Sequence, residues 1–523
     1  MSVFGPIRKA QVIAIMAVLL PGLSACDSAM ENAARSGAEA QQRLDARDLY
    51  GARVAIAEAI AERDDDPQLH ILRGRIELAA GRARDAFAAY SDALSLEATN
   101  PEALQAVSQL GLQTGYLREA ESAADTILSF SPEQPEALLT KGLIALVRKK
   151  HEDALGFAER ILAVKPGDEA GIIIQARTLA LTGETQAGLD LLLAAVENVG
   201  NTVGIDLTLI ELYRELGNLE EMKATFERLI EKRPEDHRLA IDYINTLYKS
   251  GETDKARVLA DKIIRADIKD KTALGVLTSR WLEYDAQPVN AATLQFLATK
   301  GSLEARIEIA RYMLAVDRAE DARRILVSVA SGYWVEARAL YARTLQQLGE
   351  QQEGLQMALA ILEEDTTNAD ALLVKVKESI RTEDYVLATN DAQLVIRDNP
   401  LMRDGYLGLV DVYLAKNDKS GASRVFKDAI NKLPQDLVLF RVYTNFLIEK
   451  NDRMRAILTA KRFAKINPAS TSAWQLYQQT CRRARDEICA RQAILGENEA
   501  STIYAIDPPP GTLPTRGLFG RLS

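Results

Sequence analysis

Cysteine and histidine are almost missing from this chain, which holds three of each in 523 residues. Cys26, Cys481, Cys489, His70, His151 and His237 are scattered, so no group of them has the spacing a metal site needs, and no metal is expected. Glycine-rich phosphate loops and a nucleophile elbow are equally absent, so no cofactor is expected. Acidic runs such as Asp64-Asp65-Asp66 and Glu363-Glu364 fall near the ends of helical segments, where solvated turns explain them better than acid–base chemistry. The chain therefore does not read as an enzyme. Positive charge is in deficit: 64 Lys and Arg face 74 Asp and Glu, and the net charge of −10 would repel a phosphate backbone, which argues against a nucleic-acid partner. Aromatics reach only 6%, which weighs against rows of exposed rings gripping a polysaccharide without excluding that ligand. Sixteen prolines beside 47% hydrophobic residues indicate a folded chain, not a disordered one.

What is present starts with Arg8 and Lys9, followed by an apolar run from Val12 to Leu20 and then small residues, the three parts of an export signal. The run is too short to span a bilayer. Leu23-Ser24-Ala25-Cys26 resembles the lipobox of bacterial lipoproteins. That resemblance implies a lipoprotein signal peptide over 1–25, acylation at Cys26 and a lipidated tether over 26–32, with the body facing the periplasm from the inner or outer membrane. The alternative is an ordinary secretory peptide with Cys26 a spare thiol. With Cys26 lipidated, Cys481 and Cys489 are left as a pair whose spacing suits a disulfide across a tight helical hairpin, or else as two buried thiols.

The interior is periodic. Gly81, Gly115, Gly183, Gly217 and Gly251 lie on a 34-residue grid with Lys149 in the vacant place, and Ala52, Ala86, Ala120, Ala154 and Gly188 lie on a second. Pro132, Pro166 and Pro234, then Pro400, Pro434 and Pro468 in the later half, keep the same step. Glycine, or Asn417 and Asn451 further on, suits a left-handed residue ending a first helix. Alanine lets two antiparallel helices approach closely, and proline stops the second helix. Between these marks apolar residues recur at helical spacing, as in Leu138, Ile144 and Val147, then Leu155, Ile161 and Leu162.

The pattern resembles the tetratricopeptide repeat. The residues that carry the resemblance are Gly74, Ala86, Tyr90 and Ala93 in unit 67–100, Gly142, Ala154, Ile161 and Pro166 in unit 135–168, and Tyr413, Ala422, Phe426, Ala429 and Pro434 in unit 403–436. It implies an all-α fold, an α-solenoid of about 13–14 stacked helical hairpins, none able to bury its apolar face alone. The expected divisions are an N-terminal array over 33–270, a degenerate repeat over 271–302, a C-terminal array with its cap over 303–496, and a Pro/Gly-rich tail over 497–523.

In that family the first helices line a concave groove, and the ninth residue of each unit points into it. Here the place is held by Arg75, Gln109, Leu143, Arg177, Glu211, Asn245, Arg311, Arg343, Lys377, Asp411 and Asn445. Five of these are basic in an acidic chain, so the resemblance implies a groove for an acidic or carboxylate-bearing protein segment. The alternative is exposed helical positions paired with neighbouring acids. Tyr248 is the best candidate for an aromatic anchor. Arg441 with Asn445 resembles the start of the carboxylate clamp of chaperone-binding members, although Leu476 stands where an asparagine would follow. The whole chain is similar to tetratricopeptide lipoproteins of PEP-CTERM and exopolysaccharide systems. That similarity implies a membrane-anchored scaffold for protein–protein interactions in exopolysaccharide export and biofilm formation. Pilus or outer-membrane assembly, or direct polysaccharide binding, are the alternatives.

Overall fold

The computed structural model describes residues 21–266 and 268–506, with residues 21–28 placed only as part of a helix. The expected signal segment up to residue 20, the side chain of Cys26 and the chain beyond Ile506 lie outside the described residues. Every regular element among the described residues is an α-helix, 28 in all, and the expected all-α array of stacked hairpins is what the chain forms.

Two compact units divide between Leu216 and Gly217. The first holds α1 (Pro21–Asp45), α2 (Leu49–Glu62), α3 (Pro67–Ala79), α4 (Ala83–Leu96), α5 (Pro101–Thr114), α6 (Leu117–Phe130), α7 (Pro135–Val147), α8 (His151–Val164), α9 (Glu169–Leu181), α10 (Thr185–Val199) and α11 (Val203–Leu216). The second holds α12 (Leu219–Lys232), α13 (His237–Lys249), α14 (Thr253–Arg265), α15 (Lys271–Tyr284), α16 (Ala291–Lys300), α17 (Leu303–Ala315), α18 (Ala319–Ala330), α19 (Val335–Gln347) and α20 (Gln351–Glu364). It continues with α21 (Ala369–Arg381), α22 (Tyr385–Asp398), α23 (Arg403–Ala415), α24 (Lys419–Lys432), α25 (Leu437–Glu449), α26 (Arg453–Ile466), α27 (Thr471–Ala484) and α28 (Glu487–Ser501). Within each unit odd helices pack on the next odd helix, α5 on α7 on α9 and α17 on α19 on α21 on α23, forming an inner layer against which the even helices lie.

Local chemistry sets these boundaries. Asp66, Asn100, Asp168 and Asp236 each accept a first-turn backbone N–H, and Pro67, Pro101 and Pro135 sit where a missing N–H costs nothing. After nearly every odd helix the chain turns through a positive φ, at Arg47, Gly81, Gly115, Lys149, Gly183, Gly217, Gly251, Asp317, Gly349, Glu383, Asn417, Asn451 and Arg485. The alanine grid is the contact between paired helices: Ala52, Ala86, Ala120 and Ala154 are fully buried, and a Cβ on Gly188 would stand 2.5 Å from the Ala176 carbonyl oxygen.

The grid breaks at Asp285, whose φ of −139° is extended. There α15 packs chiefly on α13 and α17, while the ten-residue α16 packs on α18. This irregular stretch, expected as a degenerate repeat over 271–302, is continuous with the second unit. The Asp285 carboxylate accepts from Nε and Nη2 of Arg257 at 2.8 Å each and from the Tyr248 hydroxyl at 3.1 Å, and the buried Trp281 ring meets Tyr312 edge-on. Two expected boundaries move. Residues 26–32, expected as a tether, belong to α1, and 497–501 of the expected tail belong to α28. Cys481 and Cys489 are joined across the α27–α28 hairpin, their Cα atoms 5.6 Å apart.

Candidate functional site

The inner layer of the second unit carries a ladder of alternating charge. Lys271 meets Glu336 at 2.9 Å, Glu336 meets Arg311 at 3.3 Å, and Arg311 meets Asp370 at 2.8 Å. Asp370 meets Arg343 at 2.7 Å, Arg343 meets Asp404 at 2.7 Å, Asp404 meets Arg403 at 3.3 Å, and Arg403 meets Asp436 at 3.1 Å. Arg311 on α17 reaches Asp370 on α21, and Arg343 on α19 reaches Asp404 on α23, each past one intervening inner helix. Burial alone would push the Asp370 and Asp404 carboxyls up, but the guanidiniums outweigh it and hold both below the ordinary carboxylate range. The Asp370 side chain is only 5% exposed, so the ladder is a wall of matched ions with little free positive charge to offer.

Most of the predicted groove residues are likewise engaged. Arg311 and Arg343 belong to the ladder, which corrects the expectation that they stand open to an acidic partner. Arg75 holds Glu102 with both arms of its guanidinium, Nε to Oε1 at 2.7 Å. Arg177, 5% exposed, holds Glu211 through two bonds of 3.0 Å. Asn245 is wholly buried and donates to the Tyr504 carbonyl at 3.1 Å. Tyr248 is buried too: its ring stacks on Tyr284 and its hydroxyl donates to Asp285, so it is a packing residue and not an exposed anchor. Burial and the Asp285 charge push its phenol above the usual range. Asn445 accepts from Arg483. Lys377 and Arg441 are exposed and make no close ion pair among the described residues, although Lys377 lies near enough to Asp411 to feel its charge. Crowding that partly desolvates the Lys377 ammonium, with Arg343 nearby, holds it below the usual lysine range.

The acids that engage these arginines were missed by sequence reasoning, although a signal existed. Glu102 follows Arg75, and Asp370 follows Arg343, by 27 residues, which places each acid in the first turn of the next inner helix beside the arginine.

The first unit offers an open site instead. A groove of about 490 Å³ runs between α5 and α7, with Leu78 of α3 at one edge. Gln105, Gln109 and Gln113, four residues apart, line up on one face of α5. All three are exposed and make no side-chain hydrogen bond among the described residues. Buried Leu110 and Leu143 form part of the floor with the partly buried Leu139, and Glu102 and Glu136 stand in the lining. Each amide can donate and accept, matching polypeptide main chain, while the leucines can take an apolar side chain. Among the described residues no three His, Cys, Asp or Glu side chains gather as metal ligands, and no helix is long and apolar enough to cross a membrane.

No curated protein is significantly similar to this chain. Among solved structures, a thermophilic tetratricopeptide protein of Thermus thermophilus, TTC0263, is 24% identical over 35% of this chain and 99% of its own, with a TM-score of 0.32. The widely conserved type IV pilus biogenesis factor PilW is 18% identical over 39% of this chain and 94% of its own, TM-score 0.32. YrrB, a tetratricopeptide protein with an unusual peptide-binding site, is 19% identical over 35% of this chain and 95% of its own, TM-score 0.25. Residues 112–169, a stretch that includes α7, one wall of the glutamine groove, match the tetratricopeptide repeat family.

Proposed function

We propose that the protein is a scaffold of the cell envelope, anchored through lipid on Cys26 and facing the periplasm, that holds a segment of another protein between α5 and α7. The observation that carries this reading is the row of unengaged amides, Gln105, Gln109 and Gln113, above a leucine floor. Most basic inner-face residues are already matched by acids of the same chain, so the segment that fits this groove presents free main chain and an apolar side chain in preference to a cluster of acids. The pathway served is exopolysaccharide export or a related envelope system, a reading supported by the lipobox-like segment and the repeat array.

A photo-crosslinking residue in place of Gln109 in the full chain, activated in cells, tests both parts. The expected product is an adduct with an envelope protein, a porin or polysaccharide synthase, whose yield falls about tenfold, or roughly 1.4 kcal/mol, when Leu139→Asp is added with helicity unchanged. Adducts confined to pilus secretin components move the assignment to pilus assembly, and adducts with cytosolic proteins alone sink the envelope reading. Cys26→Ser is expected to release the protein from the membrane fraction; retention there would remove the lipid anchor from the proposal.

A further inference from the structure

The second unit closes on itself. On α13, the Lys249 ammonium donates to three main-chain carbonyls of the chain's C-terminal part, those of Ala469, Ala500 and Ile503, the Ala500 bond being 3.2 Å. One turn earlier, the Asn245 amide donates to the Tyr504 carbonyl at 3.1 Å and accepts from Arg280 of α15 at 3.5 Å. Arg280 pairs with Glu283 at 2.8 Å, and Glu283 in turn accepts from Ser470 at 2.5 Å through its carboxylate and from Ser472 at 3.0 Å through its carbonyl. The hydrogen bonds that tie the segment after α28 to α13 among the described residues thus fall on its carbonyl oxygens, donated by Asn245 and Lys249. None of its side chains takes part in these bonds, and Tyr504, Ala505 and Ile506 are only half-buried.

We propose that Asn245 and Lys249 form a site for polypeptide main chain, that residues 502–506 are its resident occupant, and that an extended segment of a partner protein displaces them. Three features support this. One donor is fixed: Asn245 is wholly buried and held by Arg280, so its amide keeps its direction with or without an occupant. The recognition reads carbonyls, so any extended strand with free acceptors satisfies it. The contacts are polar and lie between residues 220 to 259 positions apart, so they can open without disturbing hairpins packed on their own neighbours. The site lies in the second unit and does not depend on the glutamine groove.

Nitroxides on Val258→Cys and Thr502→Cys in the full chain, both exposed positions, report the distance from α14 to the segment by pulsed electron-spin resonance. A single narrow distance is expected. A synthetic peptide of residues 498–506 at millimolar concentration should add a longer population, and a scrambled peptide should compete equally. Lys249→Met should raise the displaced fraction roughly tenfold or more without any peptide, the loss expected for a charge-assisted bond. A narrow distance that persists with peptide and in Lys249→Met overturns the proposal, and competition by the native order alone overturns main-chain reading. If Lys249→Met loses helicity, displacement by peptide in the otherwise unaltered chain decides alone, and its absence overturns the site.

Discussion

At Asp370 one carboxylate answers two guanidiniums, those of Arg311 and Arg343, with 5% of its side chain exposed. Asp370→Asn keeps the shape and removes the charge, leaving both arginines short of a counter-ion. The expected cost is about 2–4 kcal/mol, toward the low end because the arginines still touch water, and it should appear as a lower urea midpoint; an unchanged midpoint would mean that the ladder contributes nothing. The same geometry shows what to expect when Arg311, Arg343 and Lys377 are all replaced by Glu: the first two changes set new carboxylates against Asp370 and Asp404, so folding suffers before any partner is tested. These acids were legible only as charges. That they serve the ninth-place arginines depends on a 27-residue step, or on a 59-residue step for Arg311, which a reading confined to one repeat does not see.

At the scale of the helix and its turn, the positive-φ positions carry the period. Gly115 has φ +88° and open space where a Cβ would go, so Gly115→Ala isolates the backbone cost of about 1 kcal/mol. Lys149 occupies the corresponding place at φ 57°, so Lys149→Gly should raise stability by a similar amount where Gly115→Ala lowers it. Thermal melts of the pair should move in opposite directions; shifts of the same sign would refute the assignment. Most of this grid was readable, because eight of its thirteen positions carry glycine or asparagine, which advertise a left-handed turn. Arg47, Asp317, Glu383 and Arg485 take the same conformation without advertising it, since the packing of the hairpin outweighs one residue's strain. Asp285 shows the converse: its side chain is committed to Arg257 and Tyr248, and there the backbone stays extended.

At the largest scale, the ladder makes the second unit sensitive to acid in a defined window. Asp370 and Asp404 are held below their ordinary value of 3.8, so their contribution is complete above that pH and is lost as pH falls through the lower folded values. Glu308 and Asp411 have the opposite sign: burial raises both, against the pull of Arg311 and Lys377, so they weaken the fold as pH rises through their raised values and stop doing so on acidification. Urea midpoints should therefore hold or rise slightly from pH 7 to about 5 and drop steeply below about 4. A steady decline from neutrality would show that the ladder does not govern acid stability.

The amino-acid sequence by itself determined the hairpin, its length, its caps, and the small residues at which its helices touch, because each of these is settled within about one repeat by backbone sterics and apolar spacing. It also placed Gln109 of α5 on the inner face, though not Gln105 and Gln113 beside it. Only the tertiary structure decided which charges meet, that Tyr248 and Asn245 are buried, and that the chain returns from Tyr504 to α13, 259 residues away. Those outcomes depend on the small rotation from each hairpin to the next, summed over many hairpins, and no single repeat encodes the sum.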